Sequence, residues 1–490
     1  MILKVDNHKF HYEMENLCRV FYPYESIRVT RDGEEGEDSL LVVTSLEENG
    51  GEYTVSVSFS DGEKESCNEC RVTDYEDCER QMAVLLYKIL CEVTGYTPQW
   101  GILTGVRPSK LMNTFVTDMG DEEAKKYFSE KLLVSQQKAE LAYSVAKAEE
   151  KIMGLSDEKS FSLYVSIPFC PTRCNYCSFV SHSIAQAKKL IPDYVDKLCE
   201  EIKITAEIAN GLGLRLESVY WGGGTPTTLS AEQLDRVCGE IEKNFDFSEC
   251  REYTIEAGRA DTVTPEKLDV IKKYGVTRIS INPQTFNDDV LVSIGRRHTV
   301  SDVLGIYKTA REKGFDNINM DLIAGLTDDS FESFCSSVDT AIALNPENIT
   351  LHTLALKRSS KIVTGGIDVE SGETANKMLE YAQRRFYESG YIPYYMYRQS
   401  RSLGNLENVG WCKPEKECLY NIFMMEECHT VLAVGAGAVI KLKEPYGRNI
   451  ERIFNYKYPY EYISRFDELV ERKAKISEFY ENLNGVETDA

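Results

Sequence analysis

Three cysteines, Cys170, Cys174 and Cys177, lie within the stretch LYVSIPFCPTRCNYCSF. Their C-x3-C-x2-C spacing follows a hydrophobic strand directly, and thiolates are soft ligands that suit iron–sulfur clusters. Three protein ligands leave one iron of a four-iron cluster open. The spacing therefore indicates a [4Fe-4S] cluster with a free coordination site, with a zinc site completed by a distant His, or free buried thiols, as alternatives.

An open iron can bind a small molecule, and S-adenosylmethionine suits it because its amino and carboxylate groups can chelate the metal. An electron from the cluster then breaks the sulfonium bond and releases a 5'-deoxyadenosyl radical. In such sites the cofactors supply the reactive chemistry and the protein positions them. The cysteine pattern thus predicts two cofactors, a [4Fe-4S] cluster and S-adenosyl-L-methionine.

The elements that position this loop are a series of strand–helix units from residue 161 onward. Six runs have the composition of strands, and each is followed by a helical pattern: LYVSIPF, ESVYWGGG, YTIEAG, RISINPQ, INMDLIAGL and NITLHTLAL. The alternation predicts an α/β fold with a partial six-stranded parallel barrel. In such barrels the functional residues lie at the carboxyl ends of the strands.

Polar or glycine-rich residues do follow these strands. The second strand runs into Gly222, Gly223, Gly224, Thr225 and Pro226, where a glycine run lets backbone approach a ligand and offers its amides. The third, fourth and fifth strands carry Glu256, Gln284 and Asp321. These side chains could bind ribose hydroxyls or an ammonium group. The alternatives are a tight strand-to-helix turn and satisfied polar residues lining the barrel.

The regions before and after the barrel differ from it in predicted secondary structure and composition. The first 155 residues combine alternating strands with three amphipathic helices and predict a small α+β domain of unknown role. From about residue 395 an aromatic-rich region predicts a lid over the barrel mouth. The expected domains are 1–155, 156–395 and 396–490. Cys67 and Cys70 form an isolated C-x2-C pair that favours incidental surface thiols.

Composition limits the class of protein. The chain has 490 residues, 42% of them hydrophobic, 15 cysteines and a formal net charge of -23. That charge argues against nucleic-acid binding. The amino terminus has no apolar signal core, and no apolar run approaches the roughly 20 residues of a transmembrane helix. We therefore expect a cytoplasmic protein with reduced cysteines.

The motifs resemble those of radical S-adenosylmethionine (radical SAM) enzymes, and within them the oxygen-independent coproporphyrinogen III dehydrogenase (oxidase) group. The resemblance covers roughly residues 160 to 440 and rests on five motifs. They are Y-V-S-I-P-F-C-P-T-R-C-N-Y-C at 164–177, W-G-G-G-T-P-T at 221–227, R-I-S-I-N-P-Q-T-F-N at 278–287, I-G-R-R-H at 294–298 and N-M-D-L-I-A-G-L at 319–326. The group's fold is a partial (βα)6 radical SAM barrel.

By motif position, the resemblance makes the three cysteines the cluster ligands and assigns the other positions to two S-adenosylmethionine molecules. The positions that match contacts to the first molecule are Tyr164, Gly223, Thr225, Glu256, Ala355 and Val439. Those that match contacts to a second molecule are Tyr176, Gly224, Gln284, Arg296 and Asp321.

The resemblance also implies a reaction in haem (porphyrin) biosynthesis. The radical abstracts hydrogen from a propionate of coproporphyrinogen III, carbon dioxide leaves, and one electron passes to an acceptor. Two propionates react in this way and give protoporphyrinogen IX. A reduced donor such as flavodoxin or ferredoxin would supply electrons. Arg259, Lys357 and Arg358 are the proposed contacts to the substrate carboxylates, with merely solvated basic residues on loops as the alternative.

Two positions depart from the dehydrogenase pattern and keep other functions open. Phe179 replaces a fourth cysteine, and Ser166 stands in place of His. The C-S-F ending resembles the C-D-F ending of related haem chaperones. A long branch of the family, named coproporphyrinogen dehydrogenase by resemblance, shares the amino-terminal extension. It also looks similar in the motifs T-G-V-R-P at 104–108, E-A-G-R at 256–259 and G-N-L-E-N-V-G-W at 404–411, which favours the dehydrogenase.

The alternatives are a haem-binding chaperone or transfer protein and a radical enzyme that acts on haem. Candidate haem ligands in the sequence are His352, His429 and Cys428. The tyrosines and Trp411 of the carboxyl-terminal region could pack on a tetrapyrrole or form ordinary core, and core is the favoured interpretation.

Overall fold

The computed structural model describes residues 1–31, 40–177, 181–356, 371–399, 401–445 and 447–486. Two compact units divide the chain. The first contains Met1–Ala146 and the segment Met396–Glu407, and the second contains Lys147–Tyr395 and Asn408–Ala490. The division into three domains with a carboxyl-terminal lid stays a prediction.

The first unit is built on a five-stranded sheet with the order β2-β1-β3-β4-β5. Its strands are β1 (Ile2–Asp6), β2 (Arg28–Arg31), β3 (Leu41–Asn49), β4 (Glu52–Ser60) and β5 (Glu65–Val72). β1 runs parallel to β2 and β3, and β3, β4 and β5 form an antiparallel meander. The alternation of EYTVSVSF buries Val55, Val57 and Phe59 on one face of β4.

The helices in this part of the chain are His11–Phe21, Tyr75–Thr94, Pro108–Met119, Asp121–Glu130 and Gln136–Met153, and Tyr75–Thr94 packs on β4 and β5. The three amphipathic helices predicted from the sequence are confirmed. The helix Tyr75–Thr94 begins where the Asp74 side chain accepts a hydrogen bond from the Glu76 amide. It ends at Gly95, which has the left-handed conformation with φ 70°.

Cys67 and Cys70 lie on opposite faces of β5, because successive side chains of a strand alternate. Cys67 is exposed, whereas Cys70 is half-buried. The two thiols therefore cannot share one metal ion, in agreement with their interpretation as incidental thiols.

The second unit contains the predicted barrel strands, which are consecutive in space as well as in sequence. They are β6 (Ser160–Ile167), β9 (Arg215–Gly223), β10 (Glu252–Glu256), β11 (Arg278–Ser280), β12 (Ile318–Ala324) and β13 (Asn348–Thr353). Each pairs in parallel with the next. The prediction of six parallel strands is confirmed, so their carboxyl ends lie at one edge.

The remaining strands are β7 (Phe169–Cys170), β8 (His182–Ser183), β14 (Ile392–Arg398), β15 (Glu407–Cys412), β16 (Thr430–Val434), β17 (Val439–Lys443) and β18 (Ile450–Phe454). The end of β14, from Met396, and the first residue of β15, Glu407, fall in the first unit. The large sheet has the order β14-β15-β13-β12-β11-β10-β9-β6-β16-β17-β18. β16 runs parallel to β6, and β15 runs antiparallel to β13.

Helices connect the barrel strands and pack over their outer faces. The helices of this part are Ile184–Ala187, Ile191–Gly211, Ala231–Asn244, Pro265–Lys273, Asp288–Ser293, Val300–Glu312, Phe331–Leu344, Gly372–Glu388, Leu419–Glu426, Pro459–Ser464 and Phe466–Val486. Capping boxes at Ser230 and Thr299 begin two of them. In the described ranges, none of the helices combines the length and apolar character that crossing a membrane requires.

Candidate functional site

The cysteine loop, residues 170–177, begins at the end of β7 and is held by the I-G-R-R-H motif. The Thr172 hydroxyl donates to the Gly295 carbonyl at 2.8 Å. The Asn175 amide donates to the Ile294 carbonyl at 3.0 Å. Two backbone carbonyls of this short motif therefore accept hydrogen bonds from residues that lie between the three cysteines. The motif thus helps to hold the cysteine loop in place.

Arg259 also supports this loop. Its guanidinium donates to both carboxylate oxygens of Asp261, at 3.0 and 2.9 Å, and to Thr172 Oγ1 at 3.0 Å, and Nη1 lies 3.7 Å from Cys174 Sγ. The side chain is buried. The expectation that Arg259 contacts a substrate propionate is therefore wrong, because its donors are directed to Asp261 and the cysteine loop.

The pKa of Asp261 reflects this arrangement. Burial acts to raise it, but hydrogen bonds from His298 and Arg259 outweigh that effect and hold the pKa of this carboxyl well below its usual range. Asp261 is therefore ionised at neutral pH and pairs with a permanently charged guanidinium.

The three thiols are soft donors of the kind that suits an iron–sulfur cluster. Among the described residues, no group of three His, Cys, Asp or Glu side chains is placed to hold a single metal ion. Burial raises the pKa of the Cys170 thiol.

The glycine run packs directly against the cysteine loop. A side chain at Gly224 would lie 2.6 Å from the Phe169 carbonyl and 3.0 Å from Cys170 Sγ, so only glycine fits. The amides of Gly224 and Thr225 donate to the carbonyls of Ile167 and Phe169, each at 2.8 Å. The expectation that this run offers its amides to a ligand is therefore wrong for these two residues.

Thr225 nevertheless lies beside the cysteine loop, because its Oγ1 is 3.5 Å from Cys170 Sγ. Gly223 adopts a φ of 103°, and a side chain there would lie 2.9 Å from Ser166 Oγ. The conformation and the close approach both require glycine at this position.

Tyr164 and Glu256 meet inside the barrel, as expected for two residues of one binding site. A side chain at Gly222 would lie 3.1 Å from Tyr164 Oη and 3.3 Å from Glu256 Oε1. Both residues remain half-buried although they belong to interior strands. We call the inner face of the barrel around Tyr164, Gly222 and Glu256 the chamber.

The residues assigned to a second S-adenosylmethionine fall into two groups. Gln284 has a left-handed φ of 70°, its amide donates to the Asp321 carbonyl at 2.9 Å, and its own carbonyl accepts from the Ile323 amide at 3.0 Å. Such a backbone conformation outside glycine is strained and is found at functional sites. Gln284 and Asp321 are thus neighbours.

Arg296 and Tyr176 form the other group, next to the cysteine loop. The guanidinium donates to Tyr176 Oη at 3.1 Å and to the Asn282 carbonyl at 2.6 Å. Ala355 follows β13, and Val439 begins β17, and both are half-buried. Phe179, Lys357 and Arg358 lie outside the described residues.

A buried carboxylate that sequence reasoning missed holds the turn before Val439. Glu201 Oε2 accepts from the Gly435 amide at 2.7 Å, and Oε1 pairs with Lys473 at 2.9 Å. The neighbouring Ala436 carbonyl accepts from Ser166 Oγ at 2.8 Å. The signal that could have found Glu201 is its place on the apolar face of its helix, where a charge needs a partner.

The candidate haem ligand His429 is enclosed by serines. Its Nδ1 lies 2.6 Å from Ser156 Oγ, and its Nε2 lies 2.8 Å from Ser162 Oγ. Burial lowers the pKa of this imidazole to about 4, so it is neutral near pH 7. Both ring nitrogens are engaged, which makes His429 a structural residue.

The other candidates for tetrapyrrole contact are distributed differently. His352 Nε2 lies 3.7 Å from Asp321 Oδ2, so this ring belongs to the chamber. Tyr394, Tyr395 and Trp411 are buried, in agreement with the favoured interpretation as core.

The barrel and its cysteine loop can now be compared with known proteins. The profile of the Radical SAM superfamily matches residues 164–338. Over 489 residues the chain is 34% identical to the oxygen-independent coproporphyrinogen-III oxidase-like protein HemZ of Bacillus subtilis, and the match covers 97% of each chain. The chain belongs to this radical SAM family. Radical SAM proteins use a [4Fe-4S] cluster and S-adenosylmethionine, which are therefore the cofactors of this chain.

Two further similarities are partial. The chain is 36% identical over 197 residues to the heme chaperone HemW of Bacillus subtilis, a match that covers 40% of this chain and 51% of that protein. The structure of coproporphyrinogen III oxidase (HemN) from Escherichia coli matches with a TM-score of 0.51 and 23% identity, over 66% of this chain and 73% of that one. This last likeness shows the radical SAM fold alone.

Proposed function

We propose that this radical SAM protein catalyses the oxygen-independent oxidative decarboxylation of coproporphyrinogen III to protoporphyrinogen IX. The observation that carries the proposal is a rigidly held three-cysteine loop beside a polar chamber, in a chain that matches an oxidase-like relative over nearly its whole length. When bound, the cluster and S-adenosylmethionine supply a 5'-deoxyadenosyl radical for hydrogen abstraction from a propionate.

The protein's part in this chemistry is to hold and orient. Cys170, Cys174 and Cys177 would ligate the cluster, and the I-G-R-R-H motif and Arg259 keep their loop in place. Tyr164, Gly223, Thr225, Glu256, Ala355 and Val439 would form the first S-adenosylmethionine site. Tyr176, Gly224, Gln284, Arg296 and Asp321 would form a second.

The charges of two chamber residues support the proposal that the chamber binds S-adenosylmethionine. Glu256 and Asp321 are acidic and half-buried, and S-adenosylmethionine carries a sulfonium and an ammonium group that a carboxylate stabilises. The carboxylates of the substrate need cations instead. Lys357 and Arg358 remain the proposed contacts, and flavodoxin or ferredoxin remains the proposed class of electron donor.

The test is an anaerobic reaction of reconstituted protein with S-adenosylmethionine, a reductant and coproporphyrinogen III. Mass spectrometry follows 5'-deoxyadenosine and the tetrapyrroles together. We expect stepwise loss of two carboxyl groups in proportion to deoxyadenosine. Cys174→Ala should abolish both products, whereas Cys67→Ala, which removes an exposed thiol in the first unit, should retain both.

Haem binding is the second candidate, because the heme chaperone HemW is similar to part of this chain. Deoxyadenosine without any decarboxylated tetrapyrrole would contradict the dehydrogenase function. A haem titration that gives a saturable Soret band in the same preparation would then favour a chaperone, and conversion of the bound haem would favour a radical enzyme that acts on haem.

A further inference from the structure

Tyr220 occupies a position in the chamber that no motif of the sequence marked. It lies in β9 directly opposite Tyr164 of β6. Its Oη donates a hydrogen bond to Glu256 Oε1 at 2.6 Å. The bond joins neighbouring strands within the barrel, so Tyr220 fixes one oxygen of a carboxylate that is proposed to contact S-adenosylmethionine.

The ring of Tyr220 is itself held by two neighbours. Tyr420 stacks on it with ring centroids 4.5 Å apart and an angle of 19° between the rings, and Tyr164 lies 6.3 Å away at 14°. Near-parallel aromatic rings in contact restrict each other's rotation. The direction of the Tyr220 hydroxyl is therefore set by packing before any ligand binds.

Glu256 lies among groups that oppose its ionisation as well as groups that favour it. Burial raises its pKa to about 7, and the charge of Asp321 adds to the rise, whereas the hydrogen bond from Tyr220 and the nearby His352 lower it. Tyr164 and Tyr420 face the same region. Near neutral pH, a single donor can thus decide whether the carboxylate is charged.

We propose that Tyr220 is a positioning residue that orients the Glu256 carboxylate for contact with S-adenosylmethionine. This rests on the proposed role of Glu256. The ionised carboxylate accepts hydrogen bonds and attracts the cationic ligand, whereas the protonated acid does neither as well. Removing the phenolic hydroxyl removes a charge-assisted bond and leaves the ring in place.

The test measures S-adenosylmethionine binding to cluster-loaded protein across neutral pH, without a tetrapyrrole. In the unsubstituted protein, affinity should fall as pH decreases through about 7, the pKa of Glu256. In Tyr220→Phe the midpoint should move to higher pH, and affinity at neutral pH should fall about tenfold and recover at alkaline pH.

Tyr420→Phe is the matched control. It deletes the same hydroxyl from the adjacent ring, and among the described residues that hydroxyl has no hydrogen-bond partner. We expect its midpoint to stay where it is in the unsubstituted protein. Glu256→Gln should abolish the pH-dependent step altogether.

Three results would overturn the proposal. They are an unmoved midpoint in Tyr220→Phe, an equal loss of affinity at every pH in that variant, and a step that persists in Glu256→Gln. The failure of the proposed function would look different, because coproporphyrinogen turnover would be absent while the shift in binding midpoint remained.

Discussion

At the scale of single residues, Arg259 links the barrel to the cysteine loop. It pairs with Asp261 through two hydrogen bonds and donates to Thr172. Arg259→Ala would remove the loop's support and leave the partly exposed Asp261 carboxylate with His298 as a remaining partner. We expect apoprotein stability to fall by about 2 kcal/mol through the lost charge-assisted hydrogen bonds, and reconstitution to yield less iron per chain. Urea unfolding and iron analysis measure the two effects.

Arg259→Lys separates the charge from the geometry. Lysine keeps the positive charge but cannot form the two-pronged contact with Asp261, so it should recover part of the stability and little of the cluster loading. Normal iron content in Arg259→Ala, combined with weaker coproporphyrinogen binding, would restore the direct substrate contact expected from the sequence.

The cysteines could be predicted from the sequence and the role of Arg259 could not, for a physical reason. Cys170, Cys174 and Cys177 carry their chemistry in local spacing. Arg259 acquires its role from Thr172 and Cys174, which lie on a different loop and approach it only after the strands assemble. A basic residue after a strand looks the same in sequence whether it faces a ligand or the protein.

At the scale of elements, the helix Leu419–Glu426 is tied to the barrel by Glu252 at the start of β10. The carboxylate accepts from the Leu419 amide at 2.9 Å and the Tyr420 amide at 3.2 Å. It also pairs with the buried Arg278 at 3.3 Å. Glu252 therefore satisfies the free amides at the helix start and neutralises a buried cation.

We predict that Glu252→Gln destabilises the apoprotein by about 3 kcal/mol, because it leaves the Arg278 charge buried without its counter-ion. The midpoint of urea unfolding measures this loss. Adding Arg278→Met should recover part of it, since the double variant no longer buries a lone charge. If the double variant instead lost the sum of the stability lost in Glu252→Gln and in Arg278→Met alone, the ion pair would not be the cause.

The barrel strands were predictable and this helix anchor was not. Runs such as INMDLIAGL are apolar because strands covered on both faces must be, and that constraint is local. Glu252 lies in a strand run in which a charged residue has no local explanation. Its partners come from residues 278, 419 and 420, and only the assembled fold shows why the charge is there.

At the scale of the whole molecule, the chain returns to its first unit after the barrel. The segment Met396–Glu407 belongs to that unit. Glu407 pairs with Lys138 at 2.6 Å and accepts from Trp100 Nε1 at 2.8 Å, and the side chains of the ion pair are almost fully buried. Lys138 and Trp100 outweigh burial and lower the pKa of Glu407.

This late segment makes the stability of the first unit depend on distant sequence. A fragment of residues 1–155 lacks Glu407, so it must bury the Lys138 ammonium without a partner or expose it. We predict opposite effects of one substitution. Lys138→Met should stabilise the fragment, because it removes the unpaired charge, and should destabilise the full chain by about 3 kcal/mol, because it removes the ammonium group that pairs with the buried Glu407 carboxylate.

Urea unfolding of both proteins, with and without Lys138→Met, gives the comparison. A peptide of residues 396–407 added to the unsubstituted fragment should raise its midpoint, and a peptide with Glu407→Gln should do so less. The same sign of effect in fragment and full chain would contradict the argument, because it would mean that Lys138 does not need Glu407. Opposite signs would mean that the Lys138 charge stabilises the first unit only when the chain supplies Glu407.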